Sequence, residues 1–242
     1  MNKEKSTVAR RLPWLDISRG LALWAMIVYH FCFDLQWFGV IEADPYRDPL
    51  WTTARTLIIT SFLLIVGVSL FVANAHNITP RAFWLRFAKI AVCALIVSVA
   101  SYLLFPESYI YFGVLHFIAI ASLLAKPFAG YPRFALTFGI LIVLAGVTFS
   151  HPLFNAKAFS LIGFVTELPR TEDYVPLFPW LGVVLIGIGI APLLPLRKAV
   201  PSSPGRTARL LTWMGQRSLR VYMLHQPILI AILWSLLQIA RN

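Results

Sequence analysis

The chain has 242 residues, of which 59% are hydrophobic and 13% are charged, and its mean hydropathy is +0.75. A soluble domain averages about 45–50% apolar and about 25% charged residues, so this composition excludes an ordinary soluble enzyme and predicts a polytopic α-helical membrane protein. The net charge of +11 does not indicate a nucleic-acid-binding protein, because the basic residues lie in loops between apolar segments.

Seven apolar segments predict seven membrane-spanning helices. Their approximate ranges are 17–38, 52–74, 83–105, 109–125, 133–150, 177–195 and 211–239. The longest connection, 151–175, is polar, and 197–209 is a flexible basic loop rich in proline, serine and arginine. The predicted fold class is therefore an all-α transmembrane bundle that forms a single domain over residues 1–242.

The distribution of basic residues predicts the orientation of the bundle. With the N-terminus in the cytoplasm, the cytoplasmic segments hold most of the basic residues, namely Lys3, Lys5, Arg10, Arg11, Arg81, Arg86, Lys126, Arg197, Lys198, Arg206 and Arg209. The opposite side holds chiefly Arg47, Lys157, Arg170 and Arg241, together with most of the acidic residues. Because cytoplasmic loops carry the excess of Lys and Arg, we predict a cytoplasmic N-terminus and an external C-terminus.

The first helix carries a polar stripe. At 100° per residue, Asp16, Arg19, His30 and Asp34 fall within about 60° of one another around the helix. Ionisable groups at membrane depth are costly and usually face the bundle interior or a watery cavity. His30 and Asp34 are also one turn apart, close enough for the carboxylate to orient the imidazole ring. This stripe is the leading candidate for the functional site.

Two further histidines lie inside predicted spans. His116 shares a helical face with Tyr109, and His225 lies between Tyr222 and Gln226. Their estimated depths are compatible with one cavity in the outer half of the bundle, shared with His30. The three histidines lie on different helices without a recognised ligand spacing, so no metal site is expected.

The stretch D-I-S-R-G-L-A-L-W-A-M-I-V-Y-H-F-C-F-D-L in the first helix resembles bacterial members of the heparan-alpha-glucosaminide N-acetyltransferase catalytic-domain family, part of a superfamily of transmembrane acyltransferases. Similar segments follow in the same order, namely F-L-L-I-V-G-V-S-L-F (62–71), I-Y-F-G-V-L-H-F-I-A (110–119), Y-V-P-L-F-P-W-L-G-V-V-L-I-G-I (174–188) and G-Q-R-S-L-R-V-Y-M-L-H-Q-P-I-L (215–229).

The resemblance implies an enzyme that takes an acyl group, chiefly acetyl, from cytoplasmic acyl-coenzyme A. The group passes through the bundle to a hydroxyl or amine acceptor, expected to be a sugar, on the far side. The spacing of Arg19 and His30 resembles the first-helix pattern of the broader O-acyltransferases, which implies that His30 is the catalytic histidine.

Each candidate residue then has an expected role. In catalysis we expect His30 as general base or acyl carrier, Asp34 as its orienting carboxylate, and His116, His225 or Gln226 as stabilisers of the oxyanion. For the coenzyme A phosphates we expect four arginines at the cytoplasmic mouth, namely Arg19, Arg86, Arg217 and Arg220. For entry of the acceptor we expect Arg170 and Trp180. The expected surroundings are the lipid bilayer of a bacterial inner membrane, and a homo-oligomer is compatible with the sequence.

Two other classes of function fit the same residues. In a small proton-coupled transporter or flippase, the intramembrane histidines and acids would form a proton relay. In an accessory subunit without chemistry, the polar stripe would only join helices. Coenzyme A binding distinguishes an acyltransferase from both alternatives.

Overall fold

The computed structural model describes residues 12–42, 44, 47–195 and 205–241. Within them lie nine α-helices, which are α1 (Pro13–Trp37), α2 (Pro49–Ala75), α3 (Pro80–Leu104), α4 (Val114–Ala125), α5 (Pro132–Thr148), α6 (Lys157–Ser160), α7 (Leu177–Ile190), α8 (Arg206–Gln216) and α9 (Ser218–Arg241). The all-α class is therefore confirmed for this part of the chain. The basic residues Lys3, Lys5, Arg10, Arg11, Arg197 and Lys198 lie outside the described residues.

Proline residues mark where several helices begin. Pro13, Pro80 and Pro132 are the first residues of α1, α3 and α5. Proline suits this position because its fixed φ is already helical and its missing N–H would have no partner in the first turn. The start of α3 is also capped by Thr79, whose hydroxyl accepts a hydrogen bond from the backbone N–H of Ala82.

Three helices are long and apolar enough to cross a membrane: α2, α3 and the stretch Ser218–Ala240 of α9. Three shorter apolar helical stretches are Val114–Gly130, Pro132–Thr148 and Leu177–Leu193. Although α1 has 25 residues, its polar stripe keeps it out of both groups. These helices support a membrane bundle, whereas the number of spans and their orientation stay predictions.

The described residues form two compact units, and their boundary falls within α2. Unit 1 contains the chain up to Ile58 and from Pro195 onward, and unit 2 contains Ile59–Leu194. In unit 1, α8 packs antiparallel against the first half of α1. Gly20 lies against the backbone of Leu211 and Gly215 lies against the backbone of Asp16, so the two helices touch without side chains between them.

Unit 2 has its own hydrophobic core. Phe117 of α4, Leu63 of α2, and Leu185 and Ile188 of α7 are buried there. The helix α7 carries no charged residue and packs between its neighbours in this unit, which explains its continuous apolar sequence.

The predicted helix 211–239 is wrong as a single element, because the structure divides it into α8 and α9. At Arg217 the backbone leaves the helical region, with φ −112° and ψ 25°. The Arg217 N–H bonds to the carbonyls of Trp213 and Met214, which closes α8, and the chain resumes at Ser218 as α9.

The predicted start of the fourth helix at 109 is also wrong, because α4 begins at Val114. Residues before it are extended: Phe112 pairs with Tyr174 in an isolated parallel bridge. The carboxylate of Asp173 accepts a hydrogen bond of 2.7 Å from the Val114 N–H and so caps α4. The polar connection after α5 therefore fixes where α4 begins.

Candidate active site

The polar stripe of α1 has two ends, and both are tied to the C-terminal helices of unit 1. At the first end, the Arg19 guanidinium lies 2.7 Å from the carboxylate of Asp16. Asp16 also accepts a hydrogen bond of 3.4 Å from the side-chain amide of Gln216 at the end of α8. Asp16 is buried, and these two donors compensate its charge.

The imidazole of His30 is held by its own helix. Its Nδ1 lies 2.9 Å from the carbonyl oxygen of Met26, one turn earlier. A carbonyl can only accept, so Nδ1 carries the proton and Nε2 carries the lone pair. This geometry assigns His30 the tautomer of a base that acts through Nε2.

His225 of α9 lies beside His30. The two ring centroids are 4.9 Å apart and the rings meet edge to face at 78°. His225 Nδ1 lies 2.5 Å from the carbonyl oxygen of Tyr222, so it too donates from Nδ1 and presents Nε2 as an acceptor. The structure therefore brings together two of the three histidines that the sequence singled out.

Asp34 does not orient His30, in contrast to the sequence prediction. Its Oδ1 accepts a hydrogen bond of 2.6 Å from the side-chain amide of Gln226, and only 2% of the residue is exposed. The physical reason is that each group has another partner: His30 Nδ1 bonds the Met26 carbonyl one turn earlier, and Asp34 accepts from Gln226 on α9. Asp34 instead joins α1 to α9.

Three buried atoms of this cluster have no hydrogen-bond partner among the described residues. They are Nε2 of His225, Oδ2 of Asp34 and Oε1 of Gln226. Buried polar atoms are nearly always paired in native proteins, because an unpaired one costs about 1–3 kcal/mol. All three are acceptors in the assigned state, so the group they suit is a proton donor such as a hydroxyl or an amine.

Replacing Asp34 with alanine should lower the stability of unit 1 by about 1–3 kcal/mol, because the Gln226 amide would then be buried without its acceptor. Asp34→Asn keeps an acceptor oxygen at the same position and should cost clearly less. Thermal unfolding of the two variants in the same detergent measures the difference. Equal melting temperatures for both variants would show that the Gln226 hydrogen bond contributes nothing.

Three of the four arginines predicted to bind coenzyme A belong to unit 1. Arg217 and Arg220 are exposed and lie at the α8–α9 junction, next to the Gln216 that bonds the Asp16–Arg19 pair. The Arg217 guanidinium lies 5.3 Å from the centre of the Trp213 ring. Arg86 lies in unit 2, on α3, where it lines a cavity described below.

His116 is fully engaged in local structure within unit 2. Its Nδ1 accepts a hydrogen bond of 3.3 Å from the Gly113 N–H, so Nε2 carries the proton and donates to the hydroxyl of Ser98 at 3.0 Å. That hydroxyl donates in turn to the carbonyl of Ile110 at 2.6 Å. His116 therefore holds the extended segment before α4 in place, and its catalytic role stays a prediction.

The two residues predicted to admit the acceptor also lie in unit 2. Arg170 is exposed, whereas Trp180 packs against the hydrophobic core at the start of α7. Between them in the sequence is Tyr174, whose hydroxyl donates a hydrogen bond of 2.6 Å to the carbonyl of Ser160. Burial, and secondarily the nearby Tyr111, raises the pKa of Tyr174, which keeps it a donor.

Sequence reasoning missed two contributors to these arrangements, Gln216 and Lys126. Gln216 bonds Asp16, and Lys126 shares the cavity of Arg86. In the sequence, each is only a polar residue at the end of an apolar stretch, which is a weak indication of a hydrogen-bond partner or of a cavity lining. Within the described ranges, no group of three or more His, Cys, Asp or Glu residues has the arrangement of a metal site.

Comparison with known proteins gives one clear result. The model of the family described as heparan-alpha-glucosaminide N-acetyltransferase, catalytic, matches residues 11–227, which include both ends of the polar stripe and the His225–Gln226 pair. No curated protein and no solved structure matches the chain. The apolar helices and the match together identify an integral membrane protein, and the chain belongs to the heparan-alpha-glucosaminide N-acetyltransferase catalytic-domain family.

Proposed function

We propose that this protein transfers an acetyl group from acetyl-coenzyme A to a hydroxyl or amine acceptor, using the His30–His225 pair as its reacting centre. The observation that carries the proposal is that His225, Gln226 and Asp34 each have a buried acceptor atom without a hydrogen-bond partner among the described residues, and His225 lies beside His30. A hydroxyl or amine supplies the proton that these atoms lack. The membership of an N-acetyltransferase catalytic family supports the same reaction class.

In the proposed reaction, Nε2 of His30 removes the proton from the acceptor as its oxygen or nitrogen attacks the thioester carbonyl. The C–S bond breaks, and the departing thiolate takes the proton from His30 to give free coenzyme A. The Gln226 amide, one N–H of which bonds Asp34, has a second N–H to donate to the oxyanion in this step. In a variant route, His30 Nε2 attacks the thioester carbonyl and the C–S bond breaks to release the coenzyme A thiolate. The acceptor then attacks the acetyl group on His30, the C–N bond breaks, and the acceptor proton passes to the thiolate.

The three arginines of unit 1 suit the phosphates of coenzyme A. Arg19 and His30 are eleven residues apart on one helix, a rise of about 16 Å. If a phosphate group of coenzyme A binds near Arg19, Arg217 and Arg220, the extended pantetheine arm would span the distance to His30. Arg217 and Arg220 are exposed, and guanidinium groups bind phosphates through paired, charge-assisted hydrogen bonds. Arg19 is half-buried and bonded to Asp16, so it contributes chiefly its charge.

Orientation in the membrane completes the proposal. Seven spans with the N-terminus in the cytoplasm put the arginine end on the side where acetyl-coenzyme A is made. The acceptor, proposed to be a sugar of the cell envelope, would then meet the acetyl group from the outer side of a bacterial inner membrane. In this orientation Arg170 and Trp180 belong to the outer side.

The experiment is turnover of radiolabelled acetyl-coenzyme A by purified protein in detergent, measured as free thiol and as label on protein or on added sugars. Arg217→Gln/Arg220→Gln should raise KM for acetyl-coenzyme A by about 10- to 100-fold with little change in kcat, because each lost charged contact weakens ground-state binding. Arg133→Gln, an exposed arginine of α5, is the control. Absence of both thiol release and acetyl-coenzyme A binding would overturn the proposal and favour proton-coupled transport by the histidine pair.

A further inference from the structure

Unit 2 contains a cavity of about 290 Å³ that is not part of the histidine cluster. It lies between the end of α2, the first half of α3 and the short 3-10 helix Lys126–Gly130 that follows α4. At this size it is near the lower limit for small-ligand pockets, so it suits one end of a larger molecule.

The lining of this cavity changes from apolar to cationic. Its inner part is made of the buried residues Leu70, Ile90 and Ala129. Its rim carries the exposed side chains of Arg86 and Lys126. No acidic side chain occurs among the described residues that line it, so the field at the rim is positive.

One contact holds the cationic rim in shape. The Lys126 ammonium lies 4.0 Å from the centre of the Phe83 ring, a cation–π distance that keeps this amine over the cavity wall. Arg86 follows Phe83 by three residues on α3, so both belong to the same helical face. Two cations are therefore presented from different elements toward one opening.

We propose that this cavity binds the headgroup of an anionic phospholipid, with its phosphate on Arg86 and Lys126 and the start of an acyl chain on the apolar inner wall. A soluble phosphate compound would need the charged rim but would gain little from the apolar interior. Trp84 and Leu85, next to Arg86, are exposed, and a tryptophan with exposed aliphatic neighbours is typical of a membrane–water boundary. Basic pockets between membrane helices bind acidic headgroups in this way.

The test reconstitutes the whole protein in bilayers of phosphatidylglycerol and phosphatidylcholine. The protein is then released from the bilayers, and native mass spectrometry measures which lipids stay bound to it. The wild type should retain phosphatidylglycerol in preference to phosphatidylcholine. Arg86→Gln/Lys126→Gln should lower that retention about 10- to 30-fold, since each cation near the membrane surface contributes about fivefold. The matched control is Arg81→Gln/Lys89→Gln, which removes the same charge from exposed positions of α3 that do not line the cavity.

Equal loss of phosphatidylglycerol from both double variants would overturn the proposal, because general surface charge would then explain retention. Displacement of the lipid by inorganic phosphate or by acetyl-coenzyme A, with the same sensitivity to Arg86 and Lys126, would also overturn it and assign the cavity to a soluble phosphate. Neither readout depends on acetyl transfer, so the result is independent of the proposed activity.

Discussion

His30→Ala should lower kcat for acetyl transfer by about 10²- to 10⁴-fold, the contribution of a positioned general acid–base group. The ring of His30 has its Nδ1 proton committed to the Met26 carbonyl, so Nε2 is the only lone pair that the imidazole offers. Alanine removes that base and leaves the arginine end of α1 intact. We therefore expect the KM for acetyl-coenzyme A to change little while turnover is lost. Thiol release under saturating acetyl-coenzyme A measures the effect.

The control for this prediction is His76→Ala, which alters an exposed histidine between α2 and α3. Its turnover should match the wild type. Melting curves for both variants separate loss of chemistry from loss of fold. If His30→Ala keeps activity within a few-fold of wild type while His225→Ala abolishes it, then the base is the other member of the pair and the proposed role of His30 is wrong.

Gly215→Ala should strongly destabilise unit 1, although it adds only one methyl group. A Cβ at Gly215 would overlap the backbone carbonyl of Asp16, and backbone cannot rotate aside as a long side chain can. The helices α1 and α8 would have to separate. Forced insertion of one methyl group into a packed contact costs about 1–3 kcal/mol, which corresponds to a melting temperature lower by roughly 2–12 °C for a domain of this size.

Gly205→Ala provides the comparison, because nothing lies within 4 Å of a Cβ built at that glycine. The two variants therefore add the same methyl group, at Gly205 into open space and at Gly215 into a close helix–helix contact. A melting temperature for Gly215→Ala that equals that of Gly205→Ala would mean that α8 does not pack on α1 through its backbone. Because Gln216 is the next residue, Gly215→Ala should also weaken the Asp16–Gln216 hydrogen bond.

The polar stripe of α1 could be predicted from the sequence, because helix geometry alone places Asp16, Arg19, His30 and Asp34 on one face. The residues that bond this stripe from other helices could not be predicted from the sequence. Gln216 and Gln226 lie 200 and 192 residues away from the aspartates they bond, and residue spacing carries no information about which distant helix packs against a face. The tautomer of His30 depends on a main-chain carbonyl, which has no signature among side chains.

The errors in helix boundaries have a similar origin. Residues 109–113 are mostly aromatic and aliphatic, so hydropathy extends the fourth helix over them. In the structure the Ile110 N–H bonds to the hydroxyl of Ser101, and Asp173 caps Val114 from a distance of 59 residues. At Arg217 there is neither proline nor glycine, so no residue type marks the break between α8 and α9.

The pairing of α1 with α8 and α9 also bears on how the protein is made. A ribosome completes α1 long before it reaches Gln216 and Gln226, so Asp16 and Asp34 leave it without the partners that later bury them. Asp16 still has Arg19 of its own helix, whereas Asp34 has no charge partner there, and a helix with such a buried carboxylate does not settle stably in lipid by itself. The first helix should therefore stay beside the translocon, or in contact with a chaperone, until the C-terminal hairpin emerges. Nascent chains stalled before residue 206 should be degraded faster than the full-length protein.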